Sequence, residues 1–206
     1  LKYKDGDEPF IEFPSSNTHE LLVFTDQRQV YKCKVAQFED TKSAQLGSYL
    51  PTDLGMDPDE SVTWVIDPED YKADVLFVFE NGRVARVALA GYVTKTNRKR
   101  LKNAIYGGSK LLFACVLKED RDLALVSSDQ RLINFNTSLL KTKTTNSTQG
   151  IQVFTAKNGR IVTMVGTAEE FLGGTASVEK FRAASLPSSG APMKETDMKS
   201  LFDLEE

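Results

Sequence analysis

The chain has 206 residues, 40% of them apolar, and a formal net charge of −3 at pH 7. That is enough apolar material for one sizeable core or a short array of small sheets, with no need of disulfide or metal staples. No apolar run approaches the roughly 18 residues of a membrane-spanning helix, and Leu1-Lys2-Tyr3-Lys4-Asp5 carries neither a signal segment nor an initiator methionine, so a piece of a longer cytoplasmic polypeptide is expected.

In chain order, Phe10-Ile11-Glu12-Phe13, flanked by Gly6, Pro9 and Pro14, predicts one strand that pairs with the first hairpin, like the end of an upstream unit. Leu21 to Phe38 then reads as an apolar strand, a polar turn at Asp26-Gln27-Arg28-Gln29 and a second, alternating strand. Asp57-Pro58-Asp59-Glu60 and Asp67-Pro68-Glu69-Asp70 lack the ligand spacing of a calcium loop and read as turns around a strand at 61–66, with Trp64 in the core. Val75 to Tyr92 repeats the hairpin around Glu80-Asn81-Gly82-Arg83, a strand comes next at 110–117, and Leu123 to Leu140 repeats the hairpin again around Ser128-Asp129-Gln130-Arg131. Strands at 150–155 and 160–165 flank the tight turn Lys157-Asn158-Gly159-Arg160. The pattern wears away over 165–190, and 191–206 reads as an acidic tail, disordered or with a short amphipathic helix over 194–206.

The three hairpins align without a gap, their starts 54 and 48 residues apart. A period near 50 built on strand pairs marks propeller-like arrays, in which neighbouring units complete each other's cores. The expected fold is therefore all-β: about four four-stranded blades over 1–190, starting near 21, 75 and 123 with a worn repeat at 165–190, in an open or closed array. Cys33 and Cys115 lie in strands of different repeats and are expected to be buried free thiols.

Charge is segregated along the chain. Residues 1–80 hold 17 acids and 7 bases, residues 81–168 hold 4 acids and 15 bases, and residues 169–206 hold 8 acids and 4 bases. Solubility is served by interspersed signs, so a one-sign stretch points to an anionic partner. The densest part, 92–106, comes directly after a hairpin and should lie on the rim of the array. Its long cations are interleaved with Thr and Asn, the mixture of charge and short neutral donors that phosphate oxygens take. The candidate contacts are Arg83, Arg86, Lys95, Arg98, Lys99, Arg100, Lys102, Lys110, Arg131, Lys141 and Lys143, with Lys32 and Lys34 extending the path; Arg86 and Arg131 have blade packing as an alternative role. No helix or ribbon is predicted to enter a groove, which leaves backbone contact without base readout. The lone His19 supports neither a metal site nor a catalytic triad, and Gly107-Gly108-Ser109-Lys110 lacks the spacing and following helix of a phosphate loop.

The repeat LLVFTDQRQVYKCKV, the stretch YVTKTNRKRLKNAIY and the segment SSDQRLINFNTSLLKTKTTNSTQGIQVFTAKNGRIVTMV together resemble the C-terminal domain of the A subunit of bacterial type IIA topoisomerases, DNA gyrase and topoisomerase IV. The resemblance implies a β-pinwheel that binds and bends double-stranded DNA around a basic perimeter. It also implies that strand cleavage lies in an upstream domain of the same polypeptide, that ATP and magnesium serve only the whole enzyme with its ATPase B subunit, and that this part is monomeric, with no catalytic residue, metal or cofactor of its own. None of the six tyrosines stands in the family's Arg-Tyr cleavage context, and the Gln-Arg-Arg-Gly-Gly-Lys-Gly box of gyrase is absent, which fits topoisomerase IV or a divergent gyrase truncated past its first blades. A propeller-like module that meets an acidic protein is the alternative reading.

Overall fold

The computed structural model describes residues 9–42, 45–174 and 176–198. Within them lie three four-stranded antiparallel sheets. Their strands are β1 (Glu20–Thr25), β2 (Val30–Lys34), β3 (Val62–Ile66), β4 (Asp74–Phe79), β5 (Arg83–Ala88), β6 (Arg100–Leu101), β7 (Leu111–Leu117), β8 (Asp122–Ser127), β9 (Arg131–Asn136), β10 (Ile151–Gln152), β11 (Val162–Gly166) and β12 (Ala191–Pro192). The chain is nearly all β, as its repeats predict, with three complete sheets among the described residues rather than about four.

The hairpins β1–β2, β4–β5 and β8–β9 share one register, pairing Phe24 with Val30, Val78 with Val84 and Val126 with Leu132 next to the turn. The third turn residue is left-handed in each: Arg28, Gly82 and Gln130 have φ of 61°, 80° and 54°. Gly82 meets that demand without steric cost. A single turn of 3-10 helix follows each hairpin, at Val35–Gln37, Leu89–Tyr92 and Thr137–Leu139.

The expectation that one repeat makes one blade needs correction. The sheets run β3-β1-β2-β6, β7-β4-β5-β10 and β11-β8-β9-β12, so the outermost strand of each blade comes from beyond the following hairpin or, for the third, from the terminal segment. Arg100–Leu101 pairs with Tyr31 and Val30, Ile151–Gln152 with Val84 and Arg83, and Ala191–Pro192 with Leu132 and Arg131. A hairpin with its inner strand leaves one edge of unpaired backbone groups, and a donated strand covers it. Residues 191–198 are therefore part of the fold: β12 closes blade 3, and Met198 bridges Leu172. The rest of the expected tail lies outside the described residues. Over 165–190 the worn repeat keeps a 3-10 turn, Val178–Phe181, with no hairpin among the described residues, and the donated strand β12 follows it.

Blade 2 is buried on both faces, because alternate β4 side chains point to different neighbours. Val75, Phe77 and Phe79 join Leu22, Phe24 and Tyr92 in the core shared with blade 1, where Phe24 meets Phe77 edge-on at 5.1 Å. Leu76 and Val78 join Leu125, Ile133, Phe135 and Phe154 in the core shared with blade 3. The outer faces are capped: Leu50, Leu54 and Met56 pack on Val23, Tyr31 and Cys33, and Leu172, Phe181 and Met193 pack on Ala124, Val126 and Leu132. Residues 9–18 form no strand, contrary to expectation; Phe10 instead sets its ring edge against Trp64 at 5.3 Å. Cys33 is buried, Cys115 is half-buried and both are unpaired; burial pushes the Cys33 thiol up to about 11.

Gly150 enters β10 at φ 65°, and a Cβ there would collide with the Val84 carbonyl. Gly150→Ala should therefore destabilise the protein by about 2 kcal/mol or more, read from the urea midpoint.

Candidate nucleic-acid interface

The inner strands β3, β7 and β11 pack side by side, which puts the donated strands β6, β10 and β12 on the outside. Three segments thus form the rim: 93–102 over blade 1, 141–152 over blade 2 and 182–192 over blade 3. Lys95, Arg98, Lys99 and Lys102 are exposed on the first, and Lys141 and Lys143 on the second. The third carries Arg182 alone, and its guanidinium binds Asp122 and Glu179. Lys34, exposed at the end of β2, adds to the first group. None of these seven exposed Lys and Arg side chains on blades 1 and 2 makes an ion pair among the described residues.

Each rim segment is fastened to its blade by main-chain bonds. Lys32 donates its backbone N–H to the Lys99 carbonyl, Ala88 to Lys143 and Ala183 to Asn134, at 2.8–2.9 Å. Side chains at equivalent repeat positions add a polar latch. In blade 2 the Arg86 guanidinium, 17% exposed, reaches Asp74 at 2.6 Å and Asp120 at 2.7 Å, while Thr142 donates to Asp74 at 2.7 Å. In blade 1 Lys32 lies 3.5 Å from Glu20 and 3.3 Å from Thr94. In blade 3 Asn134 replaces the cation, and Arg182 reaches Asp122 at 3.0 Å. The acids Glu20, Asp74 and Asp122 stand one residue before each aligned hairpin, a signal in the sequence that the apolar pattern hid.

The expected contacts divide accordingly. Lys95, Arg98, Lys99, Lys102, Lys141 and Lys143 are brought together along the rim. Arg86 is bound within the latch. Arg131 donates to the Ser189 and Gly190 carbonyls at 2.7 and 2.6 Å and so holds the chain entering β12. Arg100 bonds Gln29 and Asp57 and lies over the Tyr31 ring. Arg83 stands at the hairpin turn opposite Gln152. Lys110 is exposed, but at the turn end of blade 2, where its carbonyl accepts from Glu80.

His19 meets Asp67 over 2.8 Å; burial raises the Asp67 carboxyl, but hydrogen bonds from Ser15 and His19 outweigh it and hold it below the usual range. Glu60 is buried, accepting from Thr25 and from Tyr31 at 2.7 Å, and burial with that bond pushes the Tyr31 phenol up to about 12. Among the described residues no His, Cys, Asp and Glu cluster could hold a metal ion, and no helix is long and apolar enough to cross a membrane.

Three strand-exchanged blades in a shared-core array, with a cationic outer edge, define a β-pinwheel. Solved structures of the same fold include the C-terminal domain of DNA topoisomerase IV (TM-score 0.69, 19% identity, 88% of this chain and 62% of that one), the E. coli ParC C-terminal domain (0.69, 14%, 96% and 85%) and the DNA gyrase A C-terminal domain (0.61, 16%, 96% and 69%). Among curated proteins the chain is similar to the A subunit of DNA topoisomerase 4 from Staphylococcus aureus, at 23% identity over 141 residues. That match covers 66% of this chain and only 18% of the relative. No family model matches the chain. The resemblance seen in the repeats is thus met by structure and by sequence.

The latches set two outcomes. Arg86→Gln, which strands Asp74 and Asp120 without their cation, should cost about 2 kcal/mol or more of stability, whereas Lys95→Gln should leave the urea midpoint unchanged. The Asp122 carboxyl is held below its ordinary value, first by Asn136 and, against burial, by Arg182. Its folded pKa lies below its unfolded one, so this stabilisation is complete above about pH 4 and is lost as pH falls through the folded value. Asp122→Asn should lower stability at neutral pH and reduce the further loss on acidification, measured as urea midpoints at both ends of that range.

Proposed function

We infer that the chain binds duplex DNA without base readout along the rims of blades 1 and 2 and bends it, as the C-terminal part of a type IIA topoisomerase A subunit. The observation that carries this reading is the placement, on the two donated segments that cover neighbouring blades, of exposed cations that have no ion pair among the described residues. Lys34, Lys95, Arg98, Lys99, Lys102, Lys141 and Lys143 form the path, with Arg83, Arg100 and Lys110 at its margins and Arg86 and Arg131 holding the scaffold. Bending a short duplex costs on the order of 1 to 6 kcal/mol, and counterion release along such a path offsets it. In the whole enzyme this part would present DNA segments for ATP-dependent strand passage. Cleavage, ATP and magnesium would then belong to the upstream domain and the ATPase B subunit, and this part would act without a cofactor.

If each of the seven cations takes one phosphate, log affinity should fall against log salt with a slope of about −6. Binding should strengthen between duplexes of about 20 and about 60 base pairs as the path fills. Changing Lys95, Arg98, Lys99 and Lys102 together to Gln should make the slope shallower by about 3 to 4. A wild-type slope shallower than about −2, with no dependence on duplex length, would sink the reading and favour an acidic protein partner instead.

A further inference from the structure

The polar latch is not the same in every blade, and its difference in blade 1 opens a site. Leu22 pairs with Ile66 as Leu76 pairs with Cys115, and in the loops that follow Tyr71 stands beside Lys32 in blade 1 as Asp120 stands beside Arg86 in blade 2. Arg86 is therefore held between two carboxylates at 2.6 and 2.7 Å, whereas Lys32 has one, Glu20, at 3.5 Å. The second acid is replaced by a neutral ring, whose centroid lies 5.3 Å from Lys32 Nζ. Glu20 is itself engaged by the Tyr71 hydroxyl at 2.7 Å. The Lys32 side chain is only 8% exposed, and its two polar contacts, to Glu20 and to Thr94 at 3.3 Å, are both long. An ammonium has three N–H donors to place, and burial makes loosely used ones costly.

Lys32 lines an open cleft of about 590 Å³ between β2 and the 93–99 segment. Lys34, Lys95, Arg98 and Lys99 share that lining, against the single carboxylate of Glu20, and Thr94, Thr96 and Asn97 add neutral donors. At the positions of Lys34 the other blades carry Ala88 and Asn136, and at the position of Lys32 the third carries Asn134. The collection of cations over a buried, under-partnered one is thus particular to blade 1.

We propose that this cleft is a discrete phosphate-binding site, with Lys32 at its floor and Lys34, Lys95, Arg98 and Lys99 around its mouth. Its ligand chemistry is a phosphate ester or anhydride, supplied either by a DNA backbone phosphate or by a free polyphosphate. As a DNA contact the site rests on the DNA-binding reading above; as an anion site it does not.

The test is titration of tripolyphosphate into the 206-residue chain at low salt, followed by calorimetry. One-site saturable binding is expected, weakened at least about tenfold by Lys34→Gln with Lys95→Gln, and less than about twofold by the corresponding blade 2 change, Lys141→Gln with Lys143→Gln. Lys32→Arg with Tyr71→Asp, which rebuilds the blade 2 latch without removing a cation, should also weaken binding several-fold while the thermal transition stays cooperative. Absence of saturable binding, or equal loss from the blade 1 and blade 2 glutamine variants, overturns the proposal. Displacement of a bound duplex by tripolyphosphate identifies the occupant as a backbone phosphate; simultaneous binding of both identifies a free polyphosphate. If no duplex binds at all, the DNA reading fails, and the cleft stands or falls on the calorimetry alone.

Discussion

Closure of each blade by a strand from beyond its own repeat is the constraint on which the rest of this structure depends. A three-stranded unit has an outer edge whose backbone groups need partners, and the chain fills it with residues that have already passed through the next hairpin or, at the end, through the terminal segment. Blades joined this way cannot separate without breaking sheet hydrogen bonds as well as apolar contacts. The same geometry brings the connecting segments to the perimeter, so that whatever side chains they carry are displayed on the rim.

The rim is uneven because the connections differ. Over blades 1 and 2 they carry Lys95, Arg98, Lys99, Lys102, Lys141 and Lys143, which have no acidic partner among the described residues, while over blade 3 the segment Ala183-Ala184-Ser185-Leu186-Pro187-Ser188-Ser189-Gly190 is uncharged. A path along the cations therefore spans two blades and ends. Beneath it, acid and base residues at repeated positions hold each segment down, and the degree to which they neutralise one another sets the charge under the path. Arg86 is sated by two carboxylates, whereas Lys32 is left with one distant one.

The two ends of the array are finished differently from its middle. The short helix Leu50–Asp53 and the residues after it cover the outer face of blade 1, and Ala168, Leu172, Phe181 and Met193 cover that of blade 3. Each cap buries apolar side chains that a further blade would otherwise cover. Asp57, in the loop after the first cap, also reaches Arg100 on the rim, so capping and closure of blade 1 meet at one ion pair.

Much was legible in the sequence because local rules govern it. Alternating apolar residues and polar turns set the hairpins, their period set an array of blades, and the charge of 92–106 marked the rim segment; all of these depend on residues close together in the chain. What the tertiary structure decided is which edge each donated strand covers. Arg100–Leu101 is too short to show a strand pattern, and its pairing with Val30 and Tyr31 spans some seventy residues. Ala191–Pro192 read as tail for the same reason, since two residues acquire β character only from the edge they meet. Arg86 and Arg131 looked like rim cations or packing residues alike, and only the positions of Asp74, Asp120, Ser189 and Gly190 made them internal. Charge is written in the sequence, but whether a charge is spent on the fold or left for a partner depends on neighbours that only folding supplies.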